Sequence, residues 1–149
     1  MKYINSTFLP NPKYKNRNWF ILDCKYKSLG HISTFIVSLL LGKIKFDYYP
    51  SVDNGDYIIL INTKYIILNK VKKYFFVNKP GRPGTSLKIK KYSDKILPLI
   101  IKKSVKGMLA PKKKFLIRRL KIEKDSYHNY SAQNPIYINS LQFKNKLYL

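Results

Sequence analysis

Tyr57-Ile58-Ile59-Leu60-Ile61 runs without a polar interruption and is entered directly from Asp53-Asn54-Gly55-Asp56. A strand with one solvated face alternates apolar and polar side chains. One that does not alternate is buried on both faces, as in the middle of a parallel sheet under helices. Asn54-Gly55 between two aspartates reads as a turn, because Gly accepts φ > 0 without steric cost and Asn and Asp side chains bond nearby backbone. Just upstream, Gly42-Lys43-Ile44-Lys45 is basic. One stretch therefore joins a core strand to a cationic loop.

The remaining pattern supplies partners for that strand. Asn18-Trp19-Phe20-Ile21-Leu22-Asp23 has the aromatic and β-branched character of a first buried strand, with Trp19 as a core anchor. Ile32, Phe35, Ile36, Leu39 and Leu40 recur at helical spacing, and Gly42 stops the run. Strand, helix and strand make a crossover unit, for which a right-handed parallel connection is the default; this defines an α/β class. Tyr65-Ile66-Ile67-Leu68 and Tyr74-Phe75-Phe76-Val77 read as two further strands. Asn78 to Thr85, with two prolines and two glycines, reads as a cationic loop bearing Lys79 and Arg82. From Ser93 the period is helical again. Leu97, Ile100, Ile101, Val105 and Met108 share one face, Lys102, Lys103 and Lys106 another, and Pro98 fits the first turn.

At 149 residues the chain is long enough for one domain, which buries roughly 68–70% of its unfolded surface. Lysine and arginine number 30 against 7 acids, a formal charge of +23. That excess exceeds what solubility requires and points to a polyanionic partner. Hydrophobic residues make up 45%, so the charge rides on a folding chain and not on a disordered basic tail. A membrane partner is not expected: Ile32 to Leu41 is interrupted by Ser33, Thr34 and Ser38 and is about half the roughly 20 residues that a spanning helix needs. Met1 to Asn18 lacks the apolar run of a secretory signal and reads as an arm. Cys24 is the single cysteine, which excludes an internal disulfide and a CxxC metal knuckle and fits a reducing compartment. The preference for Lys, Asn, Ile and Tyr suggests an AT-rich genome, such as that of an organelle or a reduced bacterium.

The candidate phosphate contacts are Lys43, Lys45, Lys79, Arg82, Lys106, Lys112, Lys113, Lys114, Arg118, Arg119 and Lys121. Those after Pro111 are interleaved with Phe115, Leu116, Ile117, Leu120 and Ile122, apolar anchors that hold cations in register along a phosphate track. Tyr127, His128, Asn129 and Gln133, in an aperiodic tail, are suited to hydrogen-bond or stack on unpaired bases and sugars. Catalytic readings are less economical. Asp23 to Gly30 has one glycine where a dinucleotide loop needs G-x-G-x-x-G. Gly81-Arg82-Pro83-Gly84 has the form of the KH-domain GxxG clamp, but that clamp joins helices and Phe75 to Val77 reads as a strand. Cys24 with His31 could form a nucleophile and base pair, and Asp53 with Asp56 could share a metal; a buried thiol, a surface imidazole and a turn explain them more simply. No catalytic residue, metal ligand or cofactor is expected.

Several ordered pieces carry a family resemblance: Trp19-Phe20-Ile21-Leu22-Asp23, Lys27-Ser28-Leu29-Gly30, Gly42-Lys43, Tyr49-Pro50 with Val52-Asp53-Asn54-Gly55-Asp56-Tyr57, Val105-Lys106-Gly107-Met108-Leu109, and His128 with Ala132-Gln133 and Pro135. In these the chain resembles the large-subunit ribosomal protein thirteen family, of bacterial or plastid type. The resemblance implies a three-layer α/β/α single domain around a mainly parallel sheet, with basic loops and extended arms. It divides the chain into an N-terminal arm (1–17), an rRNA-binding domain (18–135) and a C-terminal extension (136–149). It further implies an early-assembling structural component bound to large-subunit rRNA, monomeric beside neighbouring ribosomal proteins, in a plastid, another organelle or a bacterial cytoplasm. The family's Arg after Leu-Gly is His31 here and its Arg before Gly-Lys is Leu41, so those two cations are not carried over. The alternatives are a free RNA-binding translational regulator and an RNA-modifying enzyme.

Overall fold

The computed structural model describes residues 17–68, 74–78, 80–81, 87–91 and 96–139, with backbone alone for 74–78 and 87–91. Its elements in chain order are β1 (Trp19–Asp23), α1 (Leu29–Leu41), β2 (Tyr57–Ile61), β3 (Tyr74–Asn78), β4 (Leu87–Lys91), α2 (Leu97–Met108), β5 (Leu120–Ile122) and β6 (Ile136–Ile138), with 3-10 segments at Thr63–Tyr65, Pro111–Arg119 and Ser131–Gln133. β1 and β2 lie side by side, Trp19 opposite Tyr57 and Asp23 opposite Ile61. The sheet order is β5-β2-β1-β6 and each pairing is parallel. The chain is a single-domain α/β protein.

β2 has neighbours on both edges, and its side chains are buried on both faces, which is why it carries no alternation. Ile58 and Leu60 point to one side with Leu22 and Leu120, and there they meet Ile32, Ile36 and Leu40 of α1 and Ile101 and Val105 of α2. Each such aliphatic side chain contributes roughly 1.5–3 kcal/mol on burial. The two helices are also joined by a Ser33–Ser104 hydroxyl pair at 2.9 Å, which satisfies a fully buried polar group. On the other side Ile21, Ile59 and Ile61 are covered by Trp19 and Tyr130. Trp19 stacks on Tyr57 at 4.3 Å and lies 5.7 Å from Tyr130. Both described α-helices thus share one face, and an aromatic stack covers part of the other.

α1 ends as its sequence suggests. Gly42 has φ 74°, and the N–H groups of Gly42 and Lys43 return to the carbonyls of Leu39 and Ser38, the closure that glycine permits at a helix end. Pro98 sits in the first turn of α2. Met108, expected on the apolar face, is 45% exposed; the next residue, Leu109, is buried in its place, because the helix ends at Met108 and the chain turns inward.

Tyr65 to Leu68 is not a strand. Asn62, at φ 55°, turns the chain out of β2 into the 3-10 segment, and only Ile67 keeps an isolated parallel bridge, to Ser28. Tyr74–Asn78 is a strand as expected, paired antiparallel with Leu87–Lys91. Gly81 therefore lies in the connection between two strands and not between the two helices that a KH clamp requires. β5 and β6, three residues each, are not legible in the sequence: Leu120–Ile122 reads there as part of the basic segment, and Ile136–Ile138, which pairs with Phe20–Leu22, lies beyond position 135. Residues 1–16 of the expected arm 1–17, and residues 140–149 of the expected extension, fall outside the described residues.

Gly55 departs from its expected role. Its φ is not positive; its importance is steric, since a Cβ there would lie 1.8 Å from the Leu40 carbonyl oxygen. The backbone before β2 passes this closely under the end of α1. Gly55→Ala is expected to destabilise the fold by roughly 3 kcal/mol or more, at the severe end of overpacking. Gly30→Ala, with nothing within 4 Å of the added carbon, is expected to change stability by no more than about 1 kcal/mol. Urea unfolding of the two variants checks the contrast.

Candidate nucleic-acid interface

The loop between α1 and β2 and the 3-10 segment before β5 are held together by one carboxylate. Asp53 accepts from Arg119 through both oxygens, Nη1 to Oδ1 at 2.7 Å and Nη2 to Oδ2, and from both terminal nitrogens of Arg17 at 3.3 Å. Arg119 Nη1 also donates to the Gly55 carbonyl at 3.2 Å. Two-point arginine–carboxylate pairing is the strong form of such a bond. Burial pushes the Asp53 pKa up, but the hydrogen bond and charge of Arg119, the Gly55 N–H and the charge of Arg17 outweigh it, so the group is held below the ordinary carboxylate range.

Asp56, buried, takes the Lys45 ammonium at 2.6 Å and the Asn18 N–H at 3.0 Å. The buried Asn54 donates to the Asp47 carbonyl at 2.8 Å. Lys113 reaches across to the Pro50 carbonyl at 2.8 Å. The nine-residue 3-10 segment is longer than such helices usually run, and these bonds fasten it near both ends while Leu116 is buried beneath it.

These bonds sort the expected phosphate-binding side chains. Lys45 and Arg119 are engaged by carboxylates and hold the scaffold, and Lys113 braces a loop. Lys43, Lys106, Lys112, Lys114 and Arg118 are exposed. Lys121 lies on the opposite sheet face, in register with Ile59, its ammonium 5.9 Å from the Tyr130 ring centroid. Lys79 and Arg82 are outside the described residues. In the tail, Tyr127, Asn129 and Gln133 are exposed, while His128 Nδ1 accepts the Tyr130 N–H at 3.3 Å. The loop carrying Lys43 and the segment carrying Lys112 to Arg118 are thus brought together, and Lys121 with the tail forms a separate group. Arg17, assigned by sequence to the arm, proves to be a partner of Asp53 across 36 positions, a pairing that no spacing rule signals.

Catalytic readings find no support in the geometry. Cys24 is fully buried with Sγ 3.8 Å from the Leu22 carbonyl. Burial and the neighbouring Asp23, only partly opposed by Lys27, push its pKa up to about 12, so the thiolate a nucleophile requires is not formed at neutral pH. Asp53 and Asp56 are occupied by cationic side chains. Among the described residues no three His, Cys, Asp or Glu side chains group to hold a metal, and no helix is long and apolar enough to cross a membrane.

Aspartates that fix loops, with lysines left exposed around them, define an α/β domain that presents a cationic surface. The model of one family, Ribosomal protein L13, matches residues 17–129, and the chain belongs to that family. It is 41% identical over 135 residues to the large ribosomal subunit protein uL13c of Trieres chinensis, covering 89% of this chain and 96% of that protein. It is 35% identical over 144 residues to large ribosomal subunit protein uL13 of Prochlorococcus marinus subsp. pastoris, covering 92% and 100%. With the uL13 of Shewanella baltica (strain OS155) the identity is 38% over 135 residues, covering 87% and 95%.

A carboxyl group whose pKa is lowered by folding stabilises the native state above its unfolded pKa of about 3.9, and that contribution is lost as pH falls through the lower, folded value. Asp53→Asn is therefore expected to cost roughly 1–3 kcal/mol at neutral pH, the scale of hydrogen bonds to charged groups. In urea titrations its deficit relative to the parent chain should shrink as pH drops below about 4. Cys24 should resist a thiol-labelling reagent in the folded protein and react on unfolding; fast labelling without denaturant would contradict its burial.

Proposed function

We propose that this chain is a structural constituent of the large ribosomal subunit that grips large-subunit rRNA through mounted cations and performs no chemical step. The observation that carries this reading is the clamp at Asp53, which fixes two lysine-bearing segments against each other and leaves Lys43, Lys112, Lys114 and Arg118 exposed beside it. Cations held in place lose less entropy on meeting a phosphate than cations on a disordered tail. Lys106 extends the positive charge along α2. Tyr127, Asn129 and Gln133 are the exposed groups suited to unpaired bases or sugars. Lys79 and Arg82 remain phosphate contacts proposed from sequence.

Membership of a ribosomal protein family makes the role structural rather than catalytic. Relatives named as large-subunit proteins, one a uL13c and others bacterial uL13 sequences, support a plastid or bacterial-type large subunit as the location. A core built from the chain's own sheet and helices suits a component that joins rRNA early, because the binding face does not wait on a partner protein to form. Neighbouring ribosomal proteins are the further partners of this reading.

Binding to large-subunit rRNA should weaken with salt, log K falling by roughly 0.7–0.9 per decade of salt for each phosphate neutralised. Lys112→Ala with Lys114→Ala should weaken binding and lower the slope by roughly 1.4–1.8, that is 0.7–0.9 for each phosphate that the parent lysines neutralise. Lys45→Ala should instead reduce folding stability, with its carboxylate partner left unpaired. Filter binding across a salt series measures the first effect and urea unfolding the second; an unchanged slope in the double variant would remove these lysines from the interface.

A further inference from the structure

Beside the clamp that joins the α1–β2 loop to the 3-10 segment, the two segments form a half-open cavity of about 440 Å³ between them. This lies within the range of about 300–1,000 Å³ typical of small-molecule sites. Its walls are apolar: Leu41, Pro50, Val52 and the buried Leu116, with Phe115 half exposed beside them. Lys112 and Lys113 also line it. The one acidic lining residue, Asp53, already faces two arginines, so it adds no free negative charge to the cavity.

A ligand matched to these walls has a flat apolar face and an anionic group attached to it. We infer that the cavity receives a single unpaired nucleotide of the bound RNA, its base against Phe115 and its phosphate at Lys112. This deepens the RNA-binding reading and rests on it. Three observations favour a nucleotide over an apolar side chain from a neighbouring protein. The cavity is continuous with the lysine-bearing segment, both lysines are themselves lining residues, and the chain carries +23 with few acids to offset it. Phe115, at 51% exposure, sits among cations without being needed by the core, which fits a stacking platform. Lys113, donating to the Pro50 carbonyl, braces one wall and leaves Lys112 for the phosphate.

The test compares the full chain with Phe115→Ala and Phe115→Trp, using a short single-stranded RNA that carries one 2-aminopurine as a fluorescent base. Because Phe115 is half exposed, both variants should remain folded without denaturant, Phe115→Ala with a moderately lowered urea midpoint, and this is measured first so that binding is compared between folded proteins. The parent and Phe115→Trp should quench the probe on binding. Phe115→Ala should lose the quenching and bind roughly 5- to 150-fold more weakly, the scale of one stacked base, with the salt slope unchanged. Lys112→Ala should lower the slope. Equal affinity and quenching in the parent and Phe115→Ala would overturn the nucleotide assignment while leaving the RNA-binding surface standing, and would mark the cavity as a seat for something other than a base. No binding by any of the proteins would overturn the surface itself.

Discussion

The structure depends on Asp53 meeting Arg119. The chain carries 30 basic residues and 7 acids, so most pairs of loops brought together would repel. Of the two segments that close over the end of α1, the 3-10 segment carries five cations and no acid, whereas the α1–β2 loop sets Asp47, Asp53 and Asp56 against Lys43 and Lys45; they are joined where Asp53 of the loop takes a two-point bond from Arg119 of the other. Arg17 brings a third segment of chain to the same carboxylate. Lys45 and Asp56 repeat the arrangement within the α1–β2 loop. The close passage of Gly55 under Leu40 lets these bonds form without a gap, and Gly42 turns the backbone so that the loop begins in the right place.

What is legible in the sequence follows from periodicity. The uninterrupted run in β2, the helical spacing from Ile32 to Leu40 and the stop at Gly42 each state a local rule, and the structure obeys all three. β5 and β6 obey no such rule, since three residues are too few to show a period and their strand character comes from the neighbours they pair with. Tyr65 to Leu68 shows the reverse: a run with strand composition is diverted by Asn62 and by the bond from Thr63 to the Glu123 carbonyl. Turn chemistry singles out Gly55 for a different reason than the one that matters, because the chain that crowds it is distant in sequence.

The candidate surface is legible as charge and not as geometry. Sequence places Lys43, Lys45, Arg119 and Lys112 to Lys114 in basic stretches but gives no means of dividing cations that face inward from those that face out. That division is made by the acids. Asp53 and Asp56 each select a cation from a basic stretch and fix it, and Lys43, Lys112 and Lys114 are left exposed. The cavity beside Phe115 is likewise a product of two segments meeting, and neither segment alone carries a pattern that announces it.

Turning the carboxylates inward also changes what two copies of this molecule feel as they approach. A surface on which lysine and glutamate alternate offers complementary patches to its own kind; here Asp56, the partner of Lys45, is buried, and the half-buried Asp53 is already taken by two arginines. Like charge therefore meets like at the lysine-bearing face, which disfavours contact between two copies there. Asp53 and Asp56, which hold the loops, thus present little unpaired negative charge to the lysine-bearing face.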